Sequence, residues 1–91
     1  MNKIKQLKFI KKKNGFTSYQ ADGFKIYYGE KGSVAGDNNK NPEELIYLLQ
    51  GRMNVTVENK TVECTAPSEI YIPAKTYHKL ESKTKTIFLV R

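Results

Sequence analysis

Glu44 and His78 are the side chains of this sequence best placed to do chemistry. Glu44 opens an apolar run, Leu45-Ile-Tyr-Leu-Leu49, that stops at Gln50-Gly51. His78, the single histidine, follows a second apolar run, Ile70-Tyr-Ile72, by way of Pro73. A carboxylate and an imidazole brought together by two strands can share a metal ion, move a proton with His78 as general base and Glu44 orienting it, or satisfy one another as a buried pair. Glu44 and His78 are therefore the catalytic candidates. The residues around them decide between the three uses.

The elements that must position this pair read as strands. Phe24, Ile26 and Tyr28 alternate with Lys25 and Tyr27; Met53, Val55 and Val57 alternate with Asn54 and Thr56; Ile87 and Leu89 flank Phe88. A period of two over short runs marks half-buried strands. Turn signals punctuate them: Asn14-Gly15, Asp22-Gly23, the Gly36 to Pro42 stretch, Gln50-Gly51 and Asn59-Lys60. This spacing predicts an all-β sandwich or barrel with no long helix. Val55 to Cys64 is the clearest hairpin, with Asn59 expected to take the positive φ of its turn. Asn41-Pro42 could start a helix, but the continuous apolar run after it reads as a strand.

Composition bounds the rest. With 91 residues the chain is read as a single domain, 1–91, with N-terminal strands in 1–23 (about 4 to 10 and 16 to 21) and a barrel core in 24–91. No run of about 18 apolar residues exists to span a membrane as a helix. The lone Cys64 excludes an internal disulfide and reads as a small, inert hydrophobe; with no apolar leader at the N-terminus, a cytoplasmic location is expected. The net charge of +7 raises nucleic-acid binding, but of the basic residues only Arg52 and Arg91 are arginines, and the lysines are dispersed. Nucleic acid is not an expected partner, because phosphate and base recognition draws heavily on bidentate Arg.

Gly32, five residues, Asn38, one, Lys40, three, Glu44, six and Gly51 resembles the first motif of the cupins. Pro67, five, Pro73, one, Lys75, two, His78, three and Ser82 resembles the second. The likeness covers about residues 24 to 90. It implies a small single-domain cupin, a double-stranded β-helix or jelly-roll barrel whose members carry a divalent metal on two His of the first motif, its Glu, and the His of the second. Here Asn38 and Lys40 replace the first two, so only Glu44 and His78 remain, with Asn38 a weak amide donor and Asp37 near in sequence. A Lys40 cation beside Glu44 would repel a metal and pair with the carboxylate in its place.

The resemblance therefore implies a degenerate metal site. The expected role is binding of a small polar or anionic ligand in the barrel by Asn38, Lys40, Glu44, His78 and Tyr28, with no cofactor. The alternative is a metal-dependent enzyme of dioxygenase, isomerase or decarboxylase type holding its ion on Glu44, His78 and Asn38. A further alternative is an interaction module acting through the Lys-rich N-terminus. A homodimer is expected from the apolar outer-face residues Leu45, Tyr47 and Leu49.

Overall fold

The computed structural model describes residues 3–36 and 41–91. Ten strands follow one another: β1 (Lys8–Lys13), β2 (Phe16–Ala21), β3 (Phe24–Gly29), β4 (Val34–Gly36), β5 (Glu44–Gln50), β6 (Arg52–Val57), β7 (Lys60–Thr65), β8 (Ser68–Ile72), β9 (His78–Ser82) and β10 (Thr86–Val90). They form a six-stranded sheet in the order β1-β2-β3-β10-β5-β8 and a four-stranded sheet in the order β4-β9-β6-β7. All pairings are antiparallel. Among the described residues there is no helix, and so none long and apolar enough to cross a membrane. The all-β architecture expected from the alternation is what forms, and its two antiparallel sheets fit the jelly-roll that the resemblance implies.

The alternation explains the packing. Phe16, Ile46, Leu48, Ile70, Ile72 and Phe88 of the larger sheet face Met53, Val55 and Leu80 of the smaller, all of them buried. Each such side chain removed from water contributes about 1.5–3 kcal/mol. In β5 the run that looks uniformly apolar is two-sided: Ile46 and Leu48 are buried, Leu45 and Tyr47 half-buried, and Leu49 exposed.

Turns set the registers. At Asn14-Gly15 both residues have positive φ (53° and 88°), the type I′ geometry that matches strand twist, and Lys13 pairs with Phe16. The first strand consequently runs Lys8–Lys13, later than the expected 4 to 10, and the β1–β2 hairpin extends the edge of the larger sheet. In the β6–β7 hairpin, Glu58 takes the positive φ (56°), where Asn59 was expected to. Val57 pairs with Lys60, leaving Glu58 and Asn59 as a two-residue loop, and a positive φ at its first position alone is the II′ arrangement.

Gly51, a motif glycine, has a φ of 90°, and a Cβ there would collide with the Lys85 carbonyl oxygen. Gly23 has a similar φ of 85° but open space around it. The two separate backbone strain from steric overlap. Gly23→Ala is expected to cost about 1 kcal/mol, and Gly51→Ala about 3 kcal/mol or more, in urea denaturation. Equal costs would show that the close approach at Gly51 does not constrain the fold.

Candidate functional site

Glu44 begins β5 in one sheet and His78 begins β9 in the other, so their meeting depends on the loops that lead into both strands. Asn41 ties those loops together. Its Nδ2 donates to the carbonyl oxygens of Pro42 (2.9 Å) and Pro73 (3.0 Å), and its Oδ1 accepts from the Thr76 amide (3.2 Å). The Lys75 amide also donates to the Asn41 carbonyl (2.9 Å), and the Thr76 hydroxyl closes its own turn on Pro73 O (2.8 Å). Asn41 is only 8% exposed. A side chain that uses both donors and its acceptor in a buried place is a structural clasp, not a spare ligand.

With the loops clasped, His78 Nε2 lies 3.9 Å from Glu44 Oε1. That is ion-pair range, beyond a direct hydrogen bond. His78 is 7% exposed, with Nδ1 at 3.5 Å from the Thr76 carbonyl oxygen, while Glu44 is half-buried. Strand β4 presses closely here: Gly36 has a φ of 113°, and a Cβ on it would collide with the His78 carbonyl oxygen. Only glycine lets β4 approach β9 this tightly.

The pair lines a cavity of about 440 Å³ between the sheets. Its aromatic wall is Tyr27 stacked on Phe88 (centroids 5.0 Å apart, planes at 7°), with Phe16 edge-on to Phe88 (5.6 Å) and to Tyr27 (6.4 Å). Burial pushes the Tyr27 hydroxyl above its ordinary pKa, and the Glu44 carboxylate adds to the rise. Tyr27 therefore keeps its proton and stays a donor well past neutral pH. Lys11 and Lys13 of β1 also line the cavity.

Of the residues singled out in the sequence, Glu44 and His78 come together. Tyr28 does not join them. It is 45% exposed on the opposite face of β3, its ring edge-on to Tyr19 at 5.9 Å, in a shallow groove with Lys5, Gln6 and Leu7. The cause is strand parity: Phe16 faces inward and pairs with buried Gly29, which puts Tyr27 inward and Tyr28 outward. Asn38, Lys40 and Asp37 lie outside the described residues. Cys64 is half-buried, and burial raises its thiol pKa, so it holds little thiolate. Sequence reasoning missed Tyr27, Asn41, Lys11 and Lys13. The Asn14-Gly15 turn carried a usable signal for Lys13, because a two-residue turn places it opposite Phe16 and on the same face.

This two-sheet architecture has clear relatives among solved structures. An RmlC-like cupin from Shewanella frigidimarina superposes with a TM-score of 0.77 at 15% identity, over 93% of this chain and 81% of that one. The chain has the cupin fold. A salicylate 1,2-dioxygenase from Pseudaminobacter salicylatoxidans shares the cupin-like arrangement at a TM-score of 0.69 and 12% identity, over 74% of this chain and 19% of that enzyme. Likeness at these identities concerns the fold alone. No family model matches the chain. An uncharacterized protein of Methanocaldococcus jannaschii is 45% identical over 40 residues, 44% of this chain, and the match spans 32% of that relative.

Removing the clasp is expected to be costly because it takes a partner from the Pro42 and Pro73 carbonyls and from the Thr76 amide and empties a buried position. Asn41→Ala should lose about 2–4 kcal/mol in thermal or urea denaturation. Hydrogen exchange should quicken first at the Lys75 and Thr76 amides. A loss below about 0.5 kcal/mol would show that the two loops hold position without Asn41.

Proposed function

We infer that this cupin-fold chain binds a small polar or anionic molecule in the cavity between its sheets, without a resident catalytic metal. The observation that supports this reading most is the composition of the cavity wall. A wall divided about equally between apolar and polar surface, with Phe16, Tyr27 and Phe88 as its aromatic part, carries convergent polar groups, among them Glu44, His78 and the Tyr27 hydroxyl, at a volume within the range of small-molecule sites. Glu44 and His78 supply one acceptor and one group able to donate or accept, enough to orient a hydroxyl or amide of the ligand.

The donor set bears on the metal question. A mononuclear transition-metal site needs about three good protein ligands. The described residues bring two, and the Asn41 amide, which also lines the cavity, has its oxygen committed to Thr76 N. No group of three His, Cys, Asp or Glu occurs among the described residues. These residues by themselves do not fit a resident metal. A metal-dependent enzyme remains the second reading, favoured by the 3.9 Å approach of Glu44 to His78, which suits two ligands of one ion, and by a dioxygenase that shares the fold. It needs a third ligand, for which Asn38 is the candidate.

Two measurements on untagged protein separate the readings. Thermal-shift screening against small carboxylates, phosphate esters and polyols should find stabilising compounds, with about 2.7 kcal/mol gained at a hundredfold excess over Kd. The gain should shrink in Glu44→Gln and His78→Gln. Elemental analysis after exposure to Fe, Mn, Ni, Zn and Co should find no stoichiometric metal. Near-stoichiometric metal that disappears in both variants would replace this reading with the enzyme one, and the absence of any stabilising compound would contradict it.

A further inference from the structure

Lys11 and Lys13 belong to the Lys-rich N-terminus, and the geometry of β1 sets these exposed residues at the cavity. A β-bulge at Ile10 shifts the register, since Phe9 pairs with Tyr19 while Lys11 pairs with Ser18. The extra residue reverses the parity of the strand. Phe9 consequently joins Tyr19 on the outer face, their rings 6.0 Å apart, while Lys11 and Lys13 take the inner face opposite buried Ser18 and Phe16. Without the bulge, Phe9 and the two lysines would share one face.

One inner row then crosses five strands: Lys11 opposite Ser18, Ser18 opposite Tyr27, Tyr27 opposite Phe88, and Phe88 opposite Leu48. Along it the chemistry grades from an exposed cation, through a hydroxyl and a phenol, to hydrocarbon. The Ser18 hydroxyl is already spent on the Lys11 carbonyl oxygen (3.3 Å), which fixes the strand that carries the lysines. Among the described residues neither lysine has a carboxylate within ion-pair reach, and the cavity lining holds two ammonium groups against the one carboxylate of Glu44. A neutral sugar-like ligand would leave that positive balance without a counterpart, and a dication would be repelled by it.

We propose that the cavity takes a small amphipathic anion, its charged head held at the sheet edge by Lys11 and Lys13 and its apolar body laid along Tyr27 and Phe88. This rests on the cavity-binding reading above and narrows it to one ligand class. The competing role for edge lysines is to discourage edge-to-edge strand pairing, which any exposed lysine of β1 serves equally well. Lys8 and Lys12 provide the control, because they sit on the same strand and do not line the cavity.

The test is calorimetric titration with phenylacetate and phenyl phosphate as anionic probes and phenylacetamide as the neutral isostere. The anions are expected to bind, the amide to bind at least about tenfold more weakly, and Lys11→Gln/Lys13→Gln to weaken the anions by about tenfold. Lys8→Gln/Lys12→Gln, which removes the same charge, should leave Kd within about twofold. Exposed lysines tolerate these changes without unfolding the chain. Equal binding of anion and amide, or equal losses in the two double variants, would overturn the anion proposal and leave cavity binding intact. Binding of polyols from the wider screen but of none of the three probes would do the same. Failure of every compound in both experiments would remove the proposal together with the reading beneath it.

Discussion

The position of Glu44 against His78 depends on one buried amide. Strands β5 and β9 belong to different sheets, and nothing in the strand pairing alone fixes how far apart their first residues lie. Asn41 fixes it, by reaching from the loop before β5 to the loop between β8 and β9 with all of its side-chain hydrogen-bonding groups occupied. Each bond contributes only about 1 kcal/mol net, but the buried Asn41 amide left without its partners would cost more, so the clasp is held by the penalty for opening it. Gly36 closes the other side by letting β4 approach the His78 carbonyl without a Cβ in the way. The site is thus defined by loops and a glycine as much as by Glu44 and His78 themselves.

The second constraint is parity. In a strand, one residue more or less exchanges the faces, and the bulge at Ile10 does this to β1. It turns the lysines that follow it toward the cavity and leaves Phe9 with Tyr19 and Tyr28 on an outer aromatic face. Net charge therefore says little about where charge acts. The excess of lysine seen in the composition is spread over the surface, and its local effect on the cavity comes from two residues placed by a single inserted position.

Much of the fold was legible because it rests on local rules. Alternation predicted the strands, Asn14-Gly15 marked a turn, and the cupin resemblance carried by Glu44, Gly51, Pro73 and His78 implied that a carboxylate and an imidazole from distant segments would meet. The misplacements came where tertiary context chose between locally equivalent options. Tyr27 and Tyr28 are adjacent and chemically alike, and only the pairing of Phe16 with Gly29 determines which one faces inward. Glu58 and Asn59 share a two-residue loop, and the positive φ falls on the less permissive of the two. Asn41 offered only a possible helix start, set aside in favour of a strand, and nothing local marked its role with Pro73 and Thr76, more than thirty residues away in sequence. A clasp of that kind has no local signature.

The most direct measurement is of intermolecular nuclear Overhauser effects between a bound compound from the screen and the tyrosine rings. Tyr27 and Tyr28 are neighbours in sequence on opposite faces of β3, so they report two different surfaces. Contacts to Tyr27 and Phe88 are expected, with none to Tyr19 or Tyr28. Contacts to Tyr19 and Tyr28 instead would place recognition on the outer face of the six-stranded sheet and contradict the cavity as the binding site.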